Sequence, residues 1–292
     1  MYLEILGKLA SESLLSLYPT IIKNISIPFE MQLWTRFITY ALVSALFVDW
    51  HFVYETLLTG VGWLLPLVTM IHVYVSYRGF QLLDGGVAYA LFYTYPFMIL
   101  ILAGQRLSPA ILVAFLGILL LTVPHLGDLS KMWRDLPPLF GHIHPIQESF
   151  GQVASNYEGI AMVLLAALTE AFIYFIVKNI KTKNNWNHLF LSYGLGAAIL
   201  TGAYLGEIGK IAEWGGGIGL ALGANVFIGL FGYLLRFYAI SRLSTAIYAP
   251  LSYFGIFMAF VYGVAFSGET VTLQKVLGAI CIVVANLWSI TR

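Results

Sequence analysis

The run LTEAFIYFIVK, residues 168–178, holds one carboxylate, Glu170, in an otherwise apolar stretch that Lys178 closes eight residues later. Burial disfavours the charged form of a carboxylic acid, so a glutamate in such a run suits the exchange of a proton for an incoming amine. The other reading is a side chain that pins two helices together. Near the start of the chain, Lys8, Glu12, Ser16, Pro19 and Lys23 follow steps of four, four, three and four, which puts them on one helix face. Glu12 is thus a second candidate carboxylate, and Lys8 is placed to form a local ion pair with it. Pro19 provides either a gating bend or a passive kink. His72 offers a ligand or a proton partner, and Arg36 a fork for a carboxylate or phosphate or a partner for Glu30. Tyr89, Tyr93, Tyr248 and Tyr253 offer ring faces to a cation, or belong to interfacial belts. Asn225 is a further polar candidate. His125, His142 and His144 do not make a metal site, which needs three or four converging ligands. With no nucleotide-binding, zinc-protease or Gly-x-Ser-x-Gly pattern, the sequence predicts no cofactor, no metal and no enzyme.

Composition identifies what positions these groups. Of 292 residues, 60% are hydrophobic and 10% charged, with mean hydropathy +0.85. A soluble domain carries about 25% charged residues, so this chain has too little polar surface to face water all round. The 28 glycines and 15% aromatics fit close-packed helices with interfacial rings. A net charge of +1 argues against nucleic acid as a partner, and the single cysteine, Cys281, excludes an intramolecular disulfide. Glu4, Lys8 and Glu12 interrupt the first segment, which therefore reads as a membrane helix rather than a cleavable signal.

A membrane helix needs about 20 mostly apolar residues. That length predicts spans at 3–24, 30–48, 57–79, 84–103, 107–124, 157–178, 187–206, 215–239, 244–266 and 272–290. The expected fold is an all-α membrane protein of ten transmembrane helices. Residues 125–156 form a polar connector beside Pro124 that holds Pro137, Pro138 and Pro145. It separates a first five-helix repeat, 1–124, from a second, 157–292. Landmarks recur in order: Tyr-rich fourth and ninth spans, Gly-centred fifth and tenth, and Arg78 and Arg236 closing the third and eighth. Because five is odd, the two copies must be inverted, an architecture many secondary transporters use for alternating access. With a cytoplasmic N-terminus, Arg106, Lys178, Lys181, Lys183, Arg236, Arg242 and Arg292 outnumber Lys23, Arg78, Lys210 and Lys275 on the other side, the expected positive-inside bias.

The segments AGQRLSPAILVAFLGILLLTV and SGETVTLQKVLGAICIVVANLW resemble the two repeat ends of the drug/metabolite transporter superfamily, in its EamA-like ten-helix branch. Arg36, in QLWTRF after Pro28, sits where that family often has an arginine. The eight-residue step from Glu170 to Lys178 is similar to the glutamate and lysine of the four-helix multidrug exporters, whose glutamate serves both proton and cationic substrate. Glu12 departs from that pattern, since Lys23 follows at eleven. The resemblance implies a secondary transporter of a small amine, amino acid or related metabolite, coupled to protons, in a plasma, inner or organelle membrane. It would act as a monomer or homodimer. Alternatives are an exchanger of nucleotide sugars or phosphorylated sugars, for which Arg36, Lys23 and Arg78 would supply a basic cavity, and an intramembrane enzyme acting on a lipid through Glu170, His72 and Glu12.

Overall fold

A computed structural model describes residues 2–23, 25–83, 85–105, 108–122, 147–267 and 272–290. The helices of eight residues or more are α1 (Tyr2–Lys23), α2 (Phe29–Ala45), α3 (Trp50–Leu57), α4 (Gly60–Leu82), α5 (Gly85–Phe92), α6 (Tyr95–Leu102), α7 (Pro109–Thr122), α8 (Gln147–Asn179), α9 (Asn185–Ala203), α10 (Gly216–Ala224), α11 (Phe231–Arg242), α12 (Thr245–Ser252), α13 (Phe254–Ser267) and α14 (Leu273–Ile290). A π-helical segment, Asn225–Leu230, joins α10 to α11. Among the described residues every regular element is helical. Gly60–Leu82, Tyr157–Asn179, Gly216–Arg242 and Thr245–Phe266 are long and apolar enough to cross a membrane, and Pro109–Leu120 and Leu273–Trp288 are shorter apolar helices. The protein is an all-helical integral membrane protein.

Local chemistry sets the element boundaries. The Asp49 carboxylate accepts from the backbone N–H groups of His51 and Phe52 at the start of α3, and the Asn184 side chain accepts from Trp186 at the start of α9; both satisfy donors a helix start leaves open. The apolar run 84–103 breaks between α5 and α6, where Pro96 brings no N–H to the ladder. The run 244–266 breaks at Tyr253, three residues after Pro250. Neither break is visible in hydropathy. Helix α8 begins at Gln147, so it takes in the last ten residues of the stretch read as a polar connector.

Packing is pairwise. α4 lies along α8, α1 along α11, α2 along α9 and α7 along α14; α5 and α6 also meet α8, while α12 and α13 meet α1. At Gly79 a side chain would drive into Val163, so glycine there lets α4 and α8 approach closely. Residues 123–146 lie outside the described residues, and His125, His142 and His144 with them, as do Arg106, Arg292 and the side chains of Pro19 and Lys23.

Candidate functional site

The polar face of α1 points into the protein: Lys8, Ser11, Glu12 and Ser16 are all buried. Lys8 Nζ lies 2.5 Å from Glu12 Oε1 and 3.7 Å over the Tyr248 ring. From α11, Arg236 spans two carboxylates, with Nη2 3.1 Å from Glu12 Oε1 and Nη1 2.6 Å from Glu170 Oε1. From α4, His72 Nε2 stands 3.3 Å from Glu170 Oε2. The Tyr93 hydroxyl donates to Glu12 Oε2 at 3.3 Å. One chain of charge, Lys8–Glu12–Arg236–Glu170–His72, thus crosses α1, α11, α8 and α4. Its members balance one another, which is the condition under which buried ions persist. A methyl group at Gly255 would overlap the Tyr93 hydroxyl and the Glu12 carboxylate, and the Gly255 carbonyl accepts from Ser16 at 2.7 Å.

Above this chain lies a cavity of about 410 Å³. It follows one face of α4 from exposed Gln81 down through Tyr77 and Ser76 to buried His72. That path is nine residues, roughly 13 Å at the helical rise. Leu15, Gln32, Arg36, Phe80, Tyr89, Phe92, Tyr93, Tyr233 and Arg236 complete the wall. Among the described lining residues are two arginines and no Asp or Glu. The volume falls in the usual range for a small-molecule site, which pairs apolar walls with a few convergent polar groups.

Arg36 is 4% exposed and surrounded by rings. Its guanidinium carbon lies 4.9 Å from the Tyr233 ring centroid, 5.4 Å from Tyr77, 5.6 Å from Tyr40 and 5.8 Å from Tyr193, whose hydroxyl accepts from Nη2 at 3.1 Å. Tyr233 serves both arginines, since Arg236 lies 5.4 Å from the same ring.

The structure therefore brings Glu12, Glu170, His72, Tyr93 and Tyr248 into one cluster and puts Arg36, Tyr89, Tyr93 and His72 on the cavity. Tyr253 is buried away from the cavity beside Phe97. Asn225, in the π-helical segment, donates to the Thr35 hydroxyl at 3.2 Å and does not line the cavity. Lys178 makes no ion pair with Glu170; its amine donates to the Ile240 and Leu243 carbonyls at 3.3 and 2.7 Å, closing the end of α11. Arg236 corrects the sequence reading. Counted there as a helix-end charge, it lies six residues inside α11 at 3% exposure and holds both glutamates. The signal was present: in LFGYLLRFYAI it is as isolated in apolar sequence as Glu170. Gln32, Ser76, Tyr77, Gln81 and Tyr233 carry no such signal, because only the fold gathers them.

These features define a helical membrane protein with a solute-sized chamber whose largely aromatic wall carries two arginines. Residues 157–291 match the EamA-like transporter family, in agreement with the drug/metabolite transporter resemblance, and point to a membrane transporter of that superfamily. No curated protein matches. Among solved structures, one crystal structure described only as that of a protein aligns over 97% of this chain and 94% of its own, at 14% identity and a TM-score of 0.61. At that identity the likeness is one of fold.

Proposed function

We propose that the chain is a secondary transporter that carries a small organic acid through the central cavity by alternating access, with protons as the coupling ion. The observation that carries the substrate class is the lining: among its described residues are Arg36 and Arg236 and no carboxylate. An amine arriving there would meet two guanidinium groups, while Glu12 and Glu170 are already engaged by Arg236. A carboxylate or phosphate would meet the cationic Arg36 on the wall, with Tyr77, Tyr89, Phe80 and Phe92 to pack its carbon skeleton. Of the solutes expected from the sequence, amino acids fit through their carboxylate and phosphorylated sugars through their phosphate; simple amines do not.

The helix pairing supports alternating access between inverted copies. If α1, α2, α4, α5–α6 and α7 correspond to α8, α9, α10–α11, α12–α13 and α14, a two-fold relation turns the α4–α8 pair into α11–α1. It also turns α5–α6 against α8 into α12–α13 against α1, and maps α2–α9 and α7–α14 onto themselves. All these pairs are in contact. Glu12 and Glu170 then stand on equivalent helices, and rocking one copy against the other would open and close the charge chain beneath the cavity.

The test is uptake into liposomes holding the purified protein and a pH-sensitive dye, with a panel of organic acids, amino acids, sugar phosphates, nucleotide sugars and amines. Protein-dependent flux restricted to solutes that carry an acid group is the expected result. Flux of amines alone would overturn the substrate class, and flux of none would overturn the transport reading.

A further inference from the structure

The contacts of His72 define which of its nitrogens carries hydrogen. Nδ1 lies 3.1 Å from the Ala166 carbonyl and 3.1 Å from the Thr169 hydroxyl oxygen. The carbonyl can only accept. Thr169 gives its own hydrogen to the Leu165 or Ala166 carbonyl, at 2.8 and 3.0 Å, so it too accepts from the imidazole. Both partners require an N–H at Nδ1, and in a neutral imidazole that leaves Nε2 as a bare acceptor.

Nε2 nevertheless faces Glu170 Oε2 at 3.3 Å, and that oxygen is buried and receives no hydrogen bond. Two acceptors opposed in a buried site are a defect unless a hydrogen stands between them. We propose that His72 Nε2 and Glu170 Oε2 together form a proton-binding site, loaded and emptied from the solute cavity. The step balances simply: a hydronium ion in the cavity gives up one proton and leaves as water, one O–H bond of the hydronium breaks as one N–H or O–H bond forms at the pair, and the local charge rises by one. His72 lines the cavity, so the site has access to water.

The charged groups around the pair come from every side. Arg236 of α11 holds Glu170 Oε1, Glu12 and Lys8 of α1 lie beyond Arg236, and Arg36 of α2 acts on both members through space. Tyr93 between α5 and α6, Tyr95 of α6 and Tyr248 of α12 border the same cluster. The added charge sits beside the chamber where an anion would bind, so each favours the other's binding to the same degree. The identification of this proton as the coupling ion rests on the transport reading above; the site itself does not.

The test is nitrogen NMR of the full chain in lipid nanodiscs with ¹⁵N-labelled histidine, titrated across neutral and acid pH, with His72→Gln used to assign the resonance. The expected result is Nδ1 protonated at every pH and Nε2 passing from bare to hydrogen-bonded as pH falls. In Glu170→Gln the amide supplies a permanent donor, so the pH step at Nε2 disappears. A wild-type tautomer with bare Nδ1 and protonated Nε2 overturns the proposal without any need for the glutamine variant to fold. An unchanged titration in Glu170→Gln overturns it as well. Absent solute flux with this titration intact would defeat transport and leave the proton site standing; flux with a titration blind to Glu170 would do the reverse.

Discussion

Arg236 and Arg36 line the same cavity and share the ring of Tyr233, yet they are held in different ways. Arg236 is bracketed by the carboxylates of Glu12 and Glu170, whereas the described surroundings of Arg36 are the rings of Tyr40, Tyr77, Tyr193 and Tyr233. A ring face is worth about 0.5–2 kcal/mol to a cation, less than an ideally placed carboxylate fork inside a protein. The rings therefore position Arg36 on the cavity wall. Two carboxylates, one of them shared with Lys8, hold Arg236 and turn it into a tie across helices α1, α8 and α11. On the transport reading, Arg36 recognises the solute and Arg236 closes the floor beneath it.

The largest expected effect breaks the floor. Arg236→Ala leaves Glu12 and Glu170 buried without their shared cation, and removing one partner of a buried pair costs about 3–5 kcal/mol. The loss is expected in thermal unfolding followed through Cys281, the chain's one cysteine and half-buried in α14, with a thiol-reactive dye. An unchanged midpoint would show that the carboxylates hold their own protons and do not need the arginine. Gly255→Ala attacks the same floor from the side by forcing the Tyr93 hydroxyl and the Glu12 carboxylate aside. Overpacking of this kind costs about 1–3 kcal/mol. Here the unfolding midpoint should fall by less than in Arg236→Ala, and a midpoint equal to wild type would mean that α13 simply shifts. The same substitution at Gly202 meets nothing within 4 Å and serves as the control.

How much of this was open to sequence reading follows from the physics of each signal. The apolar spans at 57–79, 157–178, 215–239 and 244–266 are legible, because crossing a bilayer demands length and hydrophobicity together. The breaks at 92–95 and 253 are not, since one missing hydrogen bond leaves hydropathy unchanged; Pro96 and Pro250 were the local hints. Glu170 and His72 stand out as polar groups in apolar runs and Glu12 as part of a helix-spaced polar stripe, and the fold brings the three together. Arg236 has the same signature, but its reading as a helix-end charge hides the cation that holds both glutamates. The eight-residue spacing of Lys178 from Glu170 does not bring the two together, because that lysine caps α11. The charge of the cavity was beyond reach, because it depends on which side chains face inward. Sequence shows two glutamates inside candidate spans, and only the fold shows that the described wall of the chamber carries two arginines and neither glutamate.

The smallest expected effect tests the cage directly. Arg36→Lys keeps the positive charge among the four tyrosines but replaces a planar fork by a point charge on a flexible stem, and the two are not equivalent where binding is two-pointed. Stability should change little, because the ring contacts accept either cation. Uptake of the preferred acid should instead show an apparent KM raised about tenfold, equivalent to about 1.4 kcal/mol, at a similar maximal rate. This pattern separates the two arginines cleanly: substitution at Arg236 is felt in the folded state, and at Arg36 in solute recognition. If Arg36→Lys unfolds as readily as Arg236→Ala while its KM stays unchanged, then Arg36 is the second tie. The anion would in that case have to be sought at Gln32 and Gln81, nearer the mouth of the cavity.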